Sequence, residues 1–351
     1  MKNNLSSLVL GSALAAVFAS GAIADGEAPV TKINDFAATV PPAPTAEEAA
    51  ASPAAPRVLK WKDGKKAVFC LSFDDGCNSQ LENAIPRLQK YGAVGTFYII
   101  YGGGHFPWSR KRWEALADDP CVVFGNHTWH HKDVGSVEEL ETELTGADKI
   151  IHELTPGKPW PRLVSYGQPG GVKWTVTTEE IKAALPAHNL IDRAPFLGAA
   201  INVKTVPEAE ALVEKAIERG GFGHLDFHGV GGDWLAASNE FLDGLLECMA
   251  RNRDILWNPA EIDYQKYRLE RDASTVSTTK SDAREVRVRL ETNLDPALYD
   301  YPLTIEAVVP ADWTACTVQK FGSNEKPLTL KAVGGRVRFY ALPGEYMLVR
   351  K

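Results

Sequence analysis

Residues 67–76 read Ala-Val-Phe-Cys-Leu-Ser-Phe-Asp-Asp-Gly, an apolar run that stops on two carboxylates and a glycine. Ala67–Phe73 reads as a β-strand, which sets Asp74 and Asp75 at its carboxyl end. Adjacent carboxylates at a strand end are costly unless something positive pairs with them. Side chains alternate along a strand, so the two should point in different directions. One could bind a metal while the other faces substrate or water. The plain alternative is a solvated Asp-Asp-Gly turn.

Outward from this strand the pattern recurs. Strand-like runs follow at Gly95–Ile100, Val122–Gly125, Leu163–Tyr166, Asn189–Arg193, Phe222–Phe227 and Ile255–Trp257, which makes seven with the first. Helical patterns lie between them. Ser136-Val137-Glu138-Glu139 and Thr177-Thr178-Glu179-Glu180 fit capping boxes, and Gly92 and Gly220 stand where a helix should stop. Strands alternating with helices predict an α/β fold with a parallel sheet. Seven β/α units suggest a barrel, and an open doubly wound sheet fits the same pattern. In both, function gathers at the carboxyl ends of strands.

From Ser281 the texture changes to short alternating runs (Glu285–Leu290, Leu303–Val309, Leu328–Ala332, Arg336–Ala341, Tyr346–Val349) split by Pro, Gly and Asn. This predicts a small antiparallel β domain over 281–351, after a barrel over 58–270. At the other end, Lys2, the apolar run Leu8–Ala19 and Ala22-Ile23-Ala24 form a signal-peptide pattern over 1–24, so export to the periplasm or beyond the cell is expected. Its apolar run is short for a membrane anchor, and no cysteine follows it closely as in a lipoprotein. Residues 25–57 are Ala/Pro-rich and read as a tether.

Composition narrows the partners. The chain is 44% hydrophobic and 24% charged with a net charge of -7, and no basic run offers phosphate contacts, which argues against nucleic acid. No other stretch is apolar enough to span a membrane. The five cysteines are scattered and odd in number, so they form no disulfide framework. A Cys70–Cys121 bridge and buried free thiols are both compatible with the pattern.

The third strand ends in Gly125-Asn126-His127-Thr128-Trp129-His130-His131. His127 and His131 are four apart, the spacing that puts two imidazoles on one helix face for a metal. His130 points elsewhere. Two histidines and a carboxylate suit zinc or a similar divalent ion, and Asp75 on the same rim is the natural third ligand. The sixth strand ends in Gly223-His224-Leu225-Asp226-Phe227-His228, with His224, Asp226 and His228 on one face. His228 stands at the functional rim, although a hydrogen-bonded core histidine is the plain alternative.

These segments, in this order, resemble the NodB-homology polysaccharide deacetylases (carbohydrate esterase family 4). Ser72-Phe73-Asp74-Asp75-Gly76 is similar to the first motif, (T/S)FDDG. His127-Thr128-Trp129-His130-His131 is similar to the second, H(S/T)xxH. Leu225-Asp226-Phe227-His228 is similar to the last, and Trp257–Tyr267 to the closing strand and helix, so the resemblance covers residues 60–268. It implies a distorted (β/α)7 barrel, a metal on Asp75, His127 and His131 (commonly zinc, with Co2+, Ni2+ or Mn2+ also used), Asp74 as base and His228 as acid. The implied substrate is an acetylated polysaccharide or oligosaccharide, deacetylated at nitrogen or oxygen.

Two positions depart from the family pattern. The third motif, usually R-P-P-Y-G, aligns with Ser165-Tyr166-Gly167-Gln168-Pro169-Gly170-Gly171. Gly167 replaces the arginine that buttresses the base, and we expect Arg193 to reach in instead. The Pro-x-Gly ending leaves Gly170 to supply an oxyanion N–H, with Tyr166 beside it. Asp226 stands where an apolar residue is common, and is expected to buttress His228. Tyr101, Phe106, Trp108, Trp174 and Trp234 follow the strands and could stack on sugar rings. The alternative of a different class is a carbohydrate-binding protein on a degenerate barrel.

Overall fold

The computed structural model describes residues 39–195 and 202–351. The signal-peptide expectation and residues 25–38 of the tether lie outside the described residues. The remaining tether is structured. Helix α1 (Ala46–Ala51) carries a complete capping box between Thr45 and Glu48, and strand β1 (Arg57–Val58) pairs antiparallel with residues 305–306. Composition concealed this because the anchors are single polar contacts. Ser52 Oγ donates to Glu306 Oε1 at 2.6 Å, and Arg338 reaches Glu48 at 3.3 Å.

All seven predicted strands are present: β2 (Ala67–Asp75), β3 (Gly95–Ile99), β4 (Val122–Asn126), β5 (Val164–Tyr166), β6 (Leu190–Asp192), β7 (Phe222–Phe227) and β8 (Leu256–Trp257). They form one sheet in the order β6-β5-β4-β3-β2-β7, with β8 on the start of β2, and every pairing is parallel. This is the distorted barrel that the sequence implied. Among the described residues no ladder joins β6 to β7, so the barrel stays open along that seam.

Helices α2 (Ile85–Tyr91), α3 (Phe106–Glu114), α4 (Val137–Leu154), α5 (Thr178–Ala184), α6 (Val206–Arg219), α7 (Asn239–Arg251) and α8 (Glu261–Ala273) connect the strands. Gly92 and Gly220 end α2 and α6 at φ 62° and 57°, the left-handed conformation that glycine adopts without a Cβ clash. Thr177 and Glu180 form the expected capping box on α5. Ser136 caps α4, but Glu139 bonds the Gly135 N–H instead of closing the box.

Strand β2 sorts its side chains by alternation. Phe69, Leu71 and Phe73 enter the core under the helices, where Phe73 stacks between Phe97 and Phe227 at centroid distances of 4.8 and 5.1 Å. Val68, Cys70, Ser72 and Asp74 take the opposite face. The lower two join the second core, and the upper two meet polar residues of β7. All five cysteines are free and buried, which settles the bridge question for burial without pairing.

The C-terminal residues form two antiparallel sheets. One is β1-β11-β14, with β11 at Leu303–Val308 and β14 at Arg336–Ala341. The other is β13-β12-β15-β10-β9, made from β9 (Thr275–Ser281), β10 (Glu285–Glu291), β12 (Ala315–Lys320), β13 (Leu328–Lys331) and β15 (Gly344–Arg350). Their core is continuous with the base of the barrel, where Trp61, Val68, Trp257 and Tyr267 pack with Val288, Ile305 and Phe339.

At this seam the Tyr301 N–H donates to Glu270 of α8 at 2.9 Å. Burial pushes the Glu270 carboxyl up to about 8 from an ordinary 4.5. The folded state therefore binds its proton more tightly, and the group's contribution to stability is full below pH 4.5 and is lost as pH rises through 8. Glu270→Gln should shrink the stability lost between pH 5 and pH 8, read from urea unfolding at both values. An equal loss in variant and wild type would refute the shift.

Candidate active site

Three side chains from two strand ends converge at the carboxyl rim of the barrel. Asp75 Oδ1 lies 3.5 Å from His127 Nε2 and 3.5 Å from His131 Nε2, and the ligand atoms of all three fall within 4.8 Å of one another. The histidines do not share a helix face, contrary to the reading from their spacing. They sit in a loop after β4 that turns back through Thr128 and His131, both left-handed at φ 63° and 53°, and their rings meet at 5.1 Å. Asp75 is left-handed as well, at φ 73°. Non-glycine residues rarely take this conformation, and when held there by their surroundings they cluster at functional sites.

The donor set fits a cation. The carbonyl of Gly167 can only accept, so its 2.7 Å contact with His127 Nδ1 puts the proton there and leaves the Nε2 lone pair facing Asp75. Burial, then the neighbouring His127, lowers the His131 pKa and favours its neutral form. Asp75 Oδ1 is buried without a hydrogen-bond partner, a costly state that a divalent ion would relieve. The other oxygen, Oδ2, accepts the indole N–H of Trp234 at 2.7 Å. His130 is turned away, as expected, and binds Glu143 through its backbone N–H and its ring.

Asp74 is buried beside this cluster, with Oδ2 3.9 Å from His127 Nε2. Arg193, just past β6, grips it with two hydrogen bonds of 2.8 and 3.0 Å. Burial pushes the Asp74 carboxyl up, but the Arg193 guanidinium and His127 outweigh it and hold the carboxyl at about 2. Gly167 makes the room. A Cβ there would lie 3.3 Å from the Arg193 guanidinium and 3.0 Å from the Tyr98 ring, and Arg193 lies 5.0 Å over that ring. Arg193 also bridges the open seam, with Nη1 3.3 Å from Asp226 Oδ1 on β7.

Asp226 does not bond His228, and this corrects the expectation. It accepts from Ser72 Oγ at 2.5 Å and from Arg193. Strand alternation put His224, Asp226 and His228 on one face correctly, but β7 pairs Asp226 with Ser72 of β2, deeper in the barrel than His228. Burial and the facing Asp74 carboxylate push Asp226 well above the usual range. His224 is fully buried against Ser72 Oγ at 2.8 Å.

His228 stands at the end of β7, with Nε2 3.9 Å from Asp75 Oδ2 and its ring edge-on to Trp234 at 5.8 Å. Gln80 donates to the Asp74 and His228 carbonyls at 2.6 and 2.9 Å and ties the two strand ends together. No sequence signal marked Gln80. Gly170 is exposed in the loop after β5 with open space around its Cα. Tyr166 is fully buried and bonds Arg193 only through its backbone carbonyl. Of the rim aromatics, Tyr101 and Phe106 are core residues, Trp174 packs partly against the core, and Trp108 and Trp234 are 92% and 60% exposed.

Residues 62–188 match the sequence profile of the family described as polysaccharide deacetylase. A gellan lyase from a Bacillus species is 21% identical over 290 residues, 73% of this chain and 12% of that one. The chain thus spans about an eighth of the length of the curated relative that it matches. Among solved structures, a peptidoglycan deacetylase from Bacillus subtilis aligns at 15% identity and TM-score 0.42, over 59% of this chain and 94% of that one. A family 4 pseudoenzyme from Bacillus anthracis aligns at 16% and 0.41, over 56% and 63%. The matched profile spans the strand that ends in Asp74 and Asp75 and the loop that carries His127 and His131, so residues 62–188 are similar to the polysaccharide deacetylase family over the segment that holds both.

Proposed function

We propose that this chain is an exported, metal-dependent hydrolase that removes N-acetyl groups from a glycan, with O-acetyl esters open to the same chemistry. The observation that carries the reading is the buried Asp74, clamped by Arg193 beside the Asp75–His127–His131 cluster. The barrel of residues 58–270 would perform the reaction. The signal-peptide pattern over 1–24 supports export, and among the described residues no helix is long and apolar enough to cross a membrane.

Asp75, His127 and His131 would hold one divalent ion, zinc in our reading, whose chemistry is to polarise the acetyl carbonyl and acidify a bound water. Asp74, ionised and fixed in direction by Arg193, takes the proton of the attacking water as general base. The Gly170 N–H, in the exposed loop after β5, donates to the oxygen that gains charge. His228, across the site near Asp75, returns a proton to the departing nitrogen or oxygen. Arg193 and Asp226 do not touch substrate in this scheme, and they position the base.

Acetate release by protein stripped of metal and then reloaded with zinc, on a panel of N- and O-acetylated glycans, tests this directly. Release that depends on zinc is the expected result. No release on the whole panel with zinc bound would overturn the deacetylase reading. Failure to bind zinc at all would favour the carbohydrate-binding alternative.

A further inference from the structure

A cavity of about 1200 Å3 lies away from the catalytic rim. It lies at the opposite end of the barrel, between the starts of β4, β5 and α8 on one side and the β12–β13 turn and the end of β14 on the other. Clefts between packed units are common ligand sites, and small-molecule pockets usually measure roughly 300–1000 Å3, so this one has room for several sugar rings.

Its lining is rich in charge, part of it paired, with Lys62 3.7 Å from Asp63 and Lys266 2.6 Å from Asp300. Among the described residues, the side chains of Lys158 and Asp263 make no hydrogen bond or ion pair, and they attract each other across the cleft, with Lys266 and Lys62 also acting on Asp263. Arg162 uses its guanidinium on the Pro159 carbonyl and Thr155 Oγ1 and keeps further N–H donors. Burial lowers the pKa of Lys158 and nearby Asp263 opposes it, so an anion placed beside this ammonium would favour its charged form. Lys62 also lies 5.4 Å over the ring of Tyr340, a half-buried aromatic face in the same lining. Ammonium and guanidinium groups suit carboxylates, a lone carboxylate suits hydroxyls, and an aromatic face suits the C–H surface of a pyranose.

We propose that this cleft is a second saccharide site, separate from the hydrolytic centre, that takes an oligosaccharide bearing carboxylates, of the uronate type. Lys158 and Arg162 would bind the carboxylates, and Asp263 would accept from ring hydroxyls. The proposal does not rest on the deacetylase reading, because none of these side chains belongs to that centre.

The test is calorimetric titration of the full mature protein, loaded with zinc, with a galacturonate trimer, and in parallel with maltotriose and with inorganic phosphate. The acidic trimer should bind, the neutral one should bind at least about tenfold more weakly, and Lys158→Ala/Arg162→Ala should lose about tenfold in affinity for the acidic trimer. Asp74→Asn should bind it as tightly as wild type, and weakening there would move the site to the hydrolytic centre and overturn the proposal. Equal binding of both trimers, unchanged binding in the double variant, or displacement of the trimer by phosphate at equal concentration would also overturn it. If the double variant does not fold, Lys158→Gln carries the same expectation, since it removes the charge and leaves Arg162 on Thr155.

Discussion

Asp74→Asn is expected to lower acetate release about a thousandfold, within the range that a general base contributes, while zinc affinity stays unchanged. The exchange preserves the shape of the side chain and removes its ability to take a proton. Asp74 is 4% exposed, so solvent cannot readily substitute for it. The proposed zinc ligands are its neighbours, not Asp74 itself, so calorimetric zinc binding separates a lost base from a lost metal site. Activity within tenfold of wild type would remove Asp74 from the role of base.

The second large effect is expected at Arg193. Arg193→Ala should lose about a hundredfold in kcat, because the base would no longer be held in one direction. It should also destabilise the fold by about 3–5 kcal/mol, the usual result of taking one partner from a buried ion pair. Here the loss is compounded, because Asp74 and Asp226 would face each other without the guanidinium between them. A further arm distinguishes positioning from simple stability. Gly167→Arg in the Arg193→Ala background restores an arginine where the family motif has it, in the space that Arg193 vacates. Partial recovery of kcat is expected there, whereas Gly167→Arg alone should be harmful because Arg193 and Tyr98 fill that space. Full activity in Arg193→Ala would show that the base needs no buttress.

Local pattern revealed more of the site than it explained. The four-residue spacing of His127 and His131 singles out the pair that meets Asp75, but for a helical reason that does not apply. The pair is joined by a loop with left-handed Thr128 and His131, a conformation that the residue types do not announce. The charge missing at Gly167 points to Arg193, and its bidentate grip on Asp74 supplies it. For Asp226 the sequence indicates the face but not the partner, which is Ser72 and Arg193 in place of His228. Face follows from a period of two, whereas the partner depends on how far β7 slides along β2. Trp234 stood out only as a rim aromatic, and its N–H bond to Asp75 Oδ2 could not be read from the chain.

By itself the sequence determined the seven strands, the helix stops at Gly92 and Gly220, and the placing of Asp74, Asp75, His127, His131 and His228 at or just after strand ends. These depend on strand alternation, cap chemistry and the side-chain inventory at strand ends, all of which act over a few residues. The tertiary structure decided where Arg193 and Trp234 meet the two aspartates, contacts 119 and 159 residues apart in the chain. It also decided that the end of an Ala/Pro-rich tether would fold against Glu306 and that a charged cleft would open beneath the barrel. The physical reason is common to all of these. Each depends on the curl and register of packed sheets, which bring together side chains whose own neighbourhoods carry no trace of the encounter.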